Sequence, residues 1–192
     1  MEKTKASESN QIMSSSIQDL ETMIRTCKRC PLSKSRTYAV PGEGPENAKI
    51  LLLGEAPGKD EDLSGKPFVG RSGKILDQCF AEAGIDRSCV FITNVVKCRP
   101  PQNRNPNAKE TEACKPYLRA QLEMIDPKVV CLLGNVATKA VLGKVGVTSL
   151  HGQVFEGRFL VTFHPSAILR NRNLKPAFVS DLLTAKELSD RM

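Results

Sequence analysis

Short apolar runs alternate along the chain with stretches of helical spacing. Lys49–Leu53, Val90–Val96, Lys128–Leu133 and Arg158–Phe163 are almost continuous Leu, Ile, Val and Phe, the pattern of strands covered on both faces. Between them apolar positions recur every three or four residues. Ile17–Arg25 puts Ile17, Leu20, Met23 and Ile24 on one face, and Ser72–Ala83 does the same with Ile75, Leu76, Cys79 and Phe80, with Gly84 placed to end the helix. Ala108–Ile125 has helical spacing at Cys114, Leu118, Leu122 and Ile125, and Pro116 inside it predicts a kink or a restart. Asn135–Leu142 reads as a short helix. Pro176–Asp190 reads as a closing one with Phe178, Leu182, Leu183 and Leu188 inward. Cys27–Pro45, Glu55–Arg71 and Lys97–Asn107 read as loops. Residues 1–16 read as a disordered polar tail, and residues 17–192 as a single domain.

Alternating strands and helices with uniformly apolar strands predict an α/β fold, a three-layer α/β/α sandwich around a short, mainly parallel central sheet. Ligands of such sheets bind beyond the carboxyl ends of the strands. The residues at those ends are therefore the ones to inspect: Gly54-Glu55-Ala56-Pro57-Gly58, Thr93-Asn94, Gly134-Asn135 and His164-Pro165-Ser166. A carboxylate, an amide and an imidazole arrive there from three different strands.

Composition narrows the class. The chain has 192 residues, 40% hydrophobic and 26% charged, which suits one soluble domain and excludes a disordered chain or a fibrous repeat. Its apolar runs are far shorter than the roughly 20 residues a bilayer span needs, so no membrane association is expected. The polar first residues carry no secretory signal, which places the chain in the cytoplasm, in a reducing compartment. The net charge of +7 falls in three loop-like runs: Arg25–Gly42, Asn94–Arg119 and Gly157–Ser180. Basic loops of this kind suit phosphate contact.

Seven cysteines in a reducing compartment point to ligands or buried thiols rather than disulfides. Cys27 and Cys30 form a C-x2-C clip in a polar loop. Cys98 and Cys114 offer two more thiolates from distant chain, enough for a four-sulfur site. Spacing alone leaves zinc and an iron–sulfur cluster both open. Cys79, Cys89 and Cys131 read as small buried hydrophobes. Gly70–Lys74 lacks the first glycine and the Ser/Thr of a phosphate loop, and no G-x-S-x-G elbow is present.

Longer motifs then carry a likeness. GEAPGKDED at 54–62, GKPFVGRSG at 65–73, TNVVKCRPPQNRNP at 93–106 and HPSAILR at 164–170, with the cysteine framework, resemble the family 4, iron–sulfur uracil-DNA glycosylases. The likeness covers the chain from about Cys27 to its last helix. It implies a DNA-repair hydrolase that releases uracil from single- and double-stranded DNA, leaves an abasic site and works as a monomer. It also implies a [4Fe-4S] cluster on Cys27, Cys30, Cys98 and Cys114, with zinc as the alternative. No extra basic, histidine-containing loop lies between Lys97 and Glu110, unlike a related branch that links covalently to DNA. The better-known family 1 has Asp where Ala56 stands and Tyr where Gly58 stands.

The chemistry assigns parts within that resemblance. A uracil must leave the stack and enter a pocket before its glycosidic bond is reachable. Phe68 is the expected stacking platform. Asn94 carries the donor and acceptor that match uracil O4 and N3–H. His164 is the expected donor to O2, where the leaving base gathers negative charge. Glu55 is the candidate for handling water or for stabilising the cationic sugar. Glu55, Ala56 and Pro57 line the base, Ile168 and Leu169 are the expected wedge into the stack, and Arg71, Ser166 and Arg170 the expected DNA contacts. A non-catalytic iron–sulfur nucleic-acid-binding module is the alternative function.

Overall fold

The computed structural model describes residue 12 and residues 16–191. Five strands form one sheet in the order β2-β1-β3-β5-β4. They are β1 (Ile50–Gly54), β2 (Val90–Asn94), β3 (Val129–Leu133), β4 (Val154–Phe155) and β5 (Phe159–Thr162). β1 runs parallel to β2 and β3, and β3 parallel to β5; only the two-residue β4 is antiparallel. The anticipated mainly parallel α/β/α sandwich is therefore present, with one short edge strand that the apolar runs had not disclosed.

Strand alternation splits the interior into two cores. Leu51, Leu53, Phe91, Val130, Leu132 and Val161 face one side, where α1 (Ile17–Thr26), α4 (Ala108–Ile125) and α5 (Gly134–Leu142) pack. Ile50, Leu52, Ile92, Val129, Cys131 and Leu160 face the other, under α3 (Arg71–Ala83), α7 (Pro165–Arg170) and α8 (Lys175–Arg191). Because side chains alternate with a period of two, each strand feeds both layers and has to be apolar throughout. Shortening fully buried Leu52 to Ala would cost about 2–5 kcal/mol.

The helix ends follow from local chemistry. Ser16 and Asp19 cap α1 reciprocally. Asn107 and Glu110 do the same for α4, and Arg104 holds both oxygens of Glu110 at 2.8 and 2.6 Å. Gly84 ends α3 in the left-handed region, as its position suggested.

Several expectations need correction. The loop predicted over Glu55–Arg71 contains a helix, α2 (Lys59–Ser64), and α6 (Val147–Leu150) and α7 also arise in stretches rich in Gly, Pro or Ser. β2 stops at Asn94, although Val95 and Val96 still donate to the carbonyls of Gly54 and Glu55. α4 runs unbroken from 108 to 125 with Pro116 inside it. Leu183, expected inward, is exposed, because it lies off the α8 stripe of Phe178, Leu182 and Ala185 that meets the sheet. Cys89 is exposed just before β2, whereas Cys79 and Cys131 are buried as expected. Most of the tail expected over residues 1–16 lies outside the described residues; of the two that are described, Ile12 is buried in the first core and Ser16 is the α1 cap.

Candidate active site

β1, β2, β3 and β5 open at their carboxyl ends onto one cleft of about 670 Å³. All six residues expected at the base line it: Glu55, Ala56, Pro57, Phe68, Asn94 and His164. Arg71, Ser166 and Arg170 line it as well. Ile168 does not. It is completely buried in the second core, so of the proposed wedge pair only Leu169, half-buried, retains surface. On a six-residue helix packed on α3, the buried face is set by docking and not by local pattern.

Asn94 ends β2 opposite Gly54 and is 1% exposed. Its Oδ1 is buried and has no hydrogen-bond partner among the described residues. An orphaned buried acceptor is costly and marks a place where a ligand donor completes the pairing. The missing side chain of Gly54 makes room for it, since a Cβ there would stand 2.3 Å from that oxygen and 2.8 Å from Phe68 Cζ.

Phe68, expected to be the stacking platform, lines the cleft with Asn94. Its φ of 49° is a strained, left-handed value for a non-glycine residue. The segment is held from both sides. The Glu61 carboxylate accepts the N–H groups of Val69 and Gly70 at 2.9 and 2.8 Å and that of Gly58 at 3.1 Å. Arg87 donates to the carbonyl of Pro67 at 2.8 Å and to that of Phe68 at 3.3 Å. One buried carboxylate thus ties the β1 loop to the Phe68 loop. Sequence reading missed Glu61; its signal was an acid three residues after Gly58 at the start of a helix.

His164 serves two masters. Its Nδ1 accepts the backbone N–H of Ser166 at 3.1 Å and caps α7, and Ser166 Oγ lies 2.8 Å away. An Nδ1 that accepts an N–H is unprotonated, so the proton of the neutral ring sits on Nε2. Burial, with Arg170 adding, holds the imidazole pKa down to about 4. The ring is therefore neutral near pH 7 and keeps Nε2–H as a donor. It lies 5.6 Å from the Phe68 ring, centre to centre. Gly134, at φ 85°, allows this approach: a Cβ there would be 3.0 Å from His164 Cβ. Burial also raises the Glu55 carboxyl pKa above its ordinary value.

The rim also holds residues that were not singled out, among them Asn103, Arg104 and Asn105 of the Pro-rich loop after β2. Gln102 and Asn103 both take left-handed conformations, and Arg99 Nε donates to Asn103 Oδ1 at 2.7 Å.

Cys27, Cys30, Cys98 and Cys114 line one small cavity on the α1 and α4 side of the sheet. Arg36 Nη1 donates to Cys98 Sγ at 2.8 Å, and its Nη2 to the Cys27 carbonyl at 2.8 Å. Burial raises the Cys98 thiol and pushes Cys114 up to about 11, so as thiolates both call for positive charge. Four convergent sulfurs beside a guanidinium suit a metal–sulfur centre. Among the described residues, no three or more Cys, His, Asp or Glu lie close enough to grip a single metal ion.

Lys97 corrects another expectation. It was counted in a basic surface run, but it is 1% exposed and lines the cysteine cavity. Burial brings its pKa down to about 7, with the Cys114 and Cys98 thiolates opposing. No helix among the described residues is long and apolar enough to cross a membrane.

Residues 41–185 match the family model described as the uracil DNA glycosylase superfamily. The chain is 42% identical over 178 residues to a type-4 uracil-DNA glycosylase of Pyrobaculum aerophilum, covering 86% of this chain and 91% of the relative. It is 42% identical over 171 residues to that of Thermotoga maritima, covering 85% and 89%. A type-5 uracil-DNA glycosylase of Pyrobaculum aerophilum is more distant, at 30% over 187 residues, covering 78% and 82%.

Proposed function

The chain belongs to the uracil DNA glycosylase superfamily, within its type-4 branch, and from that premise we propose how its cleft removes uracil from DNA. It is a DNA-repair glycosylase that hydrolyses the N-glycosidic bond of uracil in DNA, releases free uracil and leaves an abasic site. The observation that carries the reading of the cleft is the unpartnered Oδ1 of Asn94, buried where a base edge would arrive.

A flipped uracil entering the cleft stacks on Phe68 and presents its edge to Asn94. Oδ1 accepts N3–H and Nδ2 donates to O4. Cytosine carries an acceptor at N3 and a donor at C4, so it leaves both Asn94 groups mispaired at a buried site. As the N1–C1′ bond lengthens, negative charge collects on the base and His164 Nε2–H meets it at O2. A neutral donor fixed through its other nitrogen needs no reorganisation at that moment. Glu55 follows the end of β1 and lines the cleft, where its carboxylate would stabilise the oxocarbenium and orient the attacking water. The proton of that water leaves with the product. Arg71, Ser166, Leu169 and Arg170 hold the strand on either side, on single- and double-stranded substrates alike. We propose that the chain acts as a monomer, as the resemblance implies.

For the cysteine cavity we propose a [4Fe-4S] cluster. Zinc, the alternative, would draw the four sulfurs to about 2.3 Å from one centre. Cys27, Cys30, Cys98 and Cys114 would supply the four thiolates that a [4Fe-4S] cluster takes, lining one cavity. Its four ligands would join the Cys27 loop to the Cys98–Cys114 segment, two basic stretches. Iron and sulfide content with visible absorption, lost in Cys98→Ala, is the expected result. A colourless protein holding one zinc would overturn it.

The non-catalytic alternative is disfavoured by the relatives and by the coincidence of Glu55, Asn94 and His164 in one cleft. A labelled oligonucleotide with a single uracil, incubated and then treated with alkali, tests the activity. Cleavage at uracil, and none at cytosine or thymine, is expected; an intact strand would defeat it.

A further inference from the structure

Lys97 has no place in the chemistry above, yet it is among the largest fully buried side chains. Its Nζ meets three oxygens inside the fold. Nζ lies 2.7 Å from Thr93 Oγ1, 2.7 Å from the Asn94 carbonyl and 2.6 Å from Gln121 Oε1. The acceptors belong to one closed system. Thr93 Oγ1 donates to the Pro41 carbonyl at 2.7 Å, and Gln121 Nε2 donates to the same carbonyl at 2.8 Å. The Lys97 carbonyl accepts the N–H of Val40 at 2.7 Å. The end of β2, the irregular Val40–Pro41 segment before β1 and the α4 helix are thereby fastened around one Nζ, beside the cysteine cavity.

This placement has a consequence for the amide that meets the base. Asn94 is the last residue of β2, so no further β2 residue fixes its carbonyl through the ladder. The turn after it curls back, with Val95 and Val96 donating to Gly54 and Glu55, and returns Lys97 beneath its own start. The Asn94 side chain itself has an Oδ1 with no protein partner. What holds the residue is therefore its backbone, whose carbonyl accepts from Lys97 Nζ at 2.7 Å. The next residue, Cys98, and Cys114 on α4 share the cavity that Lys97 lines.

We propose that Lys97 is a positioning residue for uracil recognition: it holds the Asn94 amide at the base edge by anchoring the end of β2 to Gln121 and to the wall of the cysteine cavity. The role rests on Asn94 as the base reader. Lys97 touches neither the base nor the sugar. Loss of its bonds lets the β2 end shift by a fraction of an ångström, which misaligns a two-point contact more than it disturbs the fold.

The test uses the purified holoprotein and free uracil as a product inhibitor. Lys97→Met keeps length and apolar bulk and removes every donor. The expected result is retained iron and visible absorption, a rise of about tenfold or more in the inhibition constant for uracil, and a lower preference for uracil over cytosine in single-turnover excision. A lower melting temperature with inhibition and preference both unchanged overturns the proposal and leaves Lys97 a stability device. If Lys97→Met loses its cluster or fails to fold, Gln121→Met decides, since it removes one anchor of the ammonium away from the ligand cysteines. A few-fold rise in the inhibition constant supports the proposal, and an unchanged constant overturns it. Asn94→Ala is measured alongside. If that variant binds uracil like the wild type, the base-reading role of Asn94 fails first and this proposal falls with it; if Asn94→Ala is impaired and Lys97→Met is not, only the role of Lys97 is lost.

Discussion

Gly54 and Asn94 are register partners at the ends of β1 and β2, and a Cβ on residue 54 would stand 2.3 Å from Asn94 Oδ1. The same Cβ would lie 2.8 Å from Phe68 Cζ. One absent side chain thus makes room for both the Asn94 amide and the Phe68 ring, the proposed base reader and stacking platform. Gly54→Ala is expected to push the amide or the ring aside, at a stability cost of about 1–3 kcal/mol. Single-turnover excision should fall by roughly a hundredfold, far more than the lost stability accounts for. Excision at the wild-type rate would show that neither group needs its observed place.

Glu61 gathers three backbone N–H groups, from Gly58, Val69 and Gly70, on one buried carboxylate. Glu61→Gln keeps the shape but turns one acceptor into an NH2 group that faces N–H donors. A loss of about 1–3 kcal/mol is expected from denaturant unfolding. Because the bonds brace the strained Phe68, the affinity for free uracil should drop as well. Unaltered uracil inhibition in a destabilised variant would confine Glu61 to the fold.

The residues that sequence reading found and those it missed differ in what defines them. Glu55, Asn94 and His164 follow apolar runs directly, so chain order alone puts them at strand ends, where a parallel sheet binds its ligands. Strand burial was legible because both faces of the sheet are covered and the runs are uniformly apolar. Short helices were not: α2 and α7 span six residues each, less than two turns, too few for a period to show. Ile168 was misread for that reason, since its inward direction depends on α7 docking against α3. Lys97 was misread because a lysine among basic neighbours is ordinarily solvated; the available clue was its place between Val95-Val96 and Cys98, an apolar context for a charge. The capping role of His164 was not legible, since the α7 helix it caps was not; the geometry assigns Nδ1 to the cap and leaves Nε2–H for the cleft.

Burial raises the Glu55 carboxyl above its ordinary value of 4.5. If its ionised form serves the cationic sugar, the log of the excision rate should decline as pH falls through that raised value. Glu55→Gln should lower the plateau by about 10²–10⁴-fold and remove the decline. The protonation of His164 lies lower, at about 4, and does not overlap the upper part of this limb. A variant that keeps the wild-type acid limb would assign the titration to another group.

His164 connects the chemistry to stability. In the unfolded chain its imidazole takes up a proton near pH 6.5, and in the folded protein only near pH 4. Between those values the unfolded state binds more protons, so stability is complete above about pH 6.5 and declines as pH falls towards 4. The shift corresponds to about 3 kcal/mol when fully expressed. His164→Asn is the informative variant, because asparagine also caps helices and can accept the Ser166 N–H. Denaturant unfolding of both proteins across pH 4 to 7 should give curves that converge as the pH falls, since only the wild type loses this contribution. The variant's excision rate should fall by about 10²–10³-fold at pH 7, where the wild-type ring is a neutral donor. Parallel stability curves would mean that the imidazole titrates alike in both states, and the neutral Nε2–H donor would have to be abandoned.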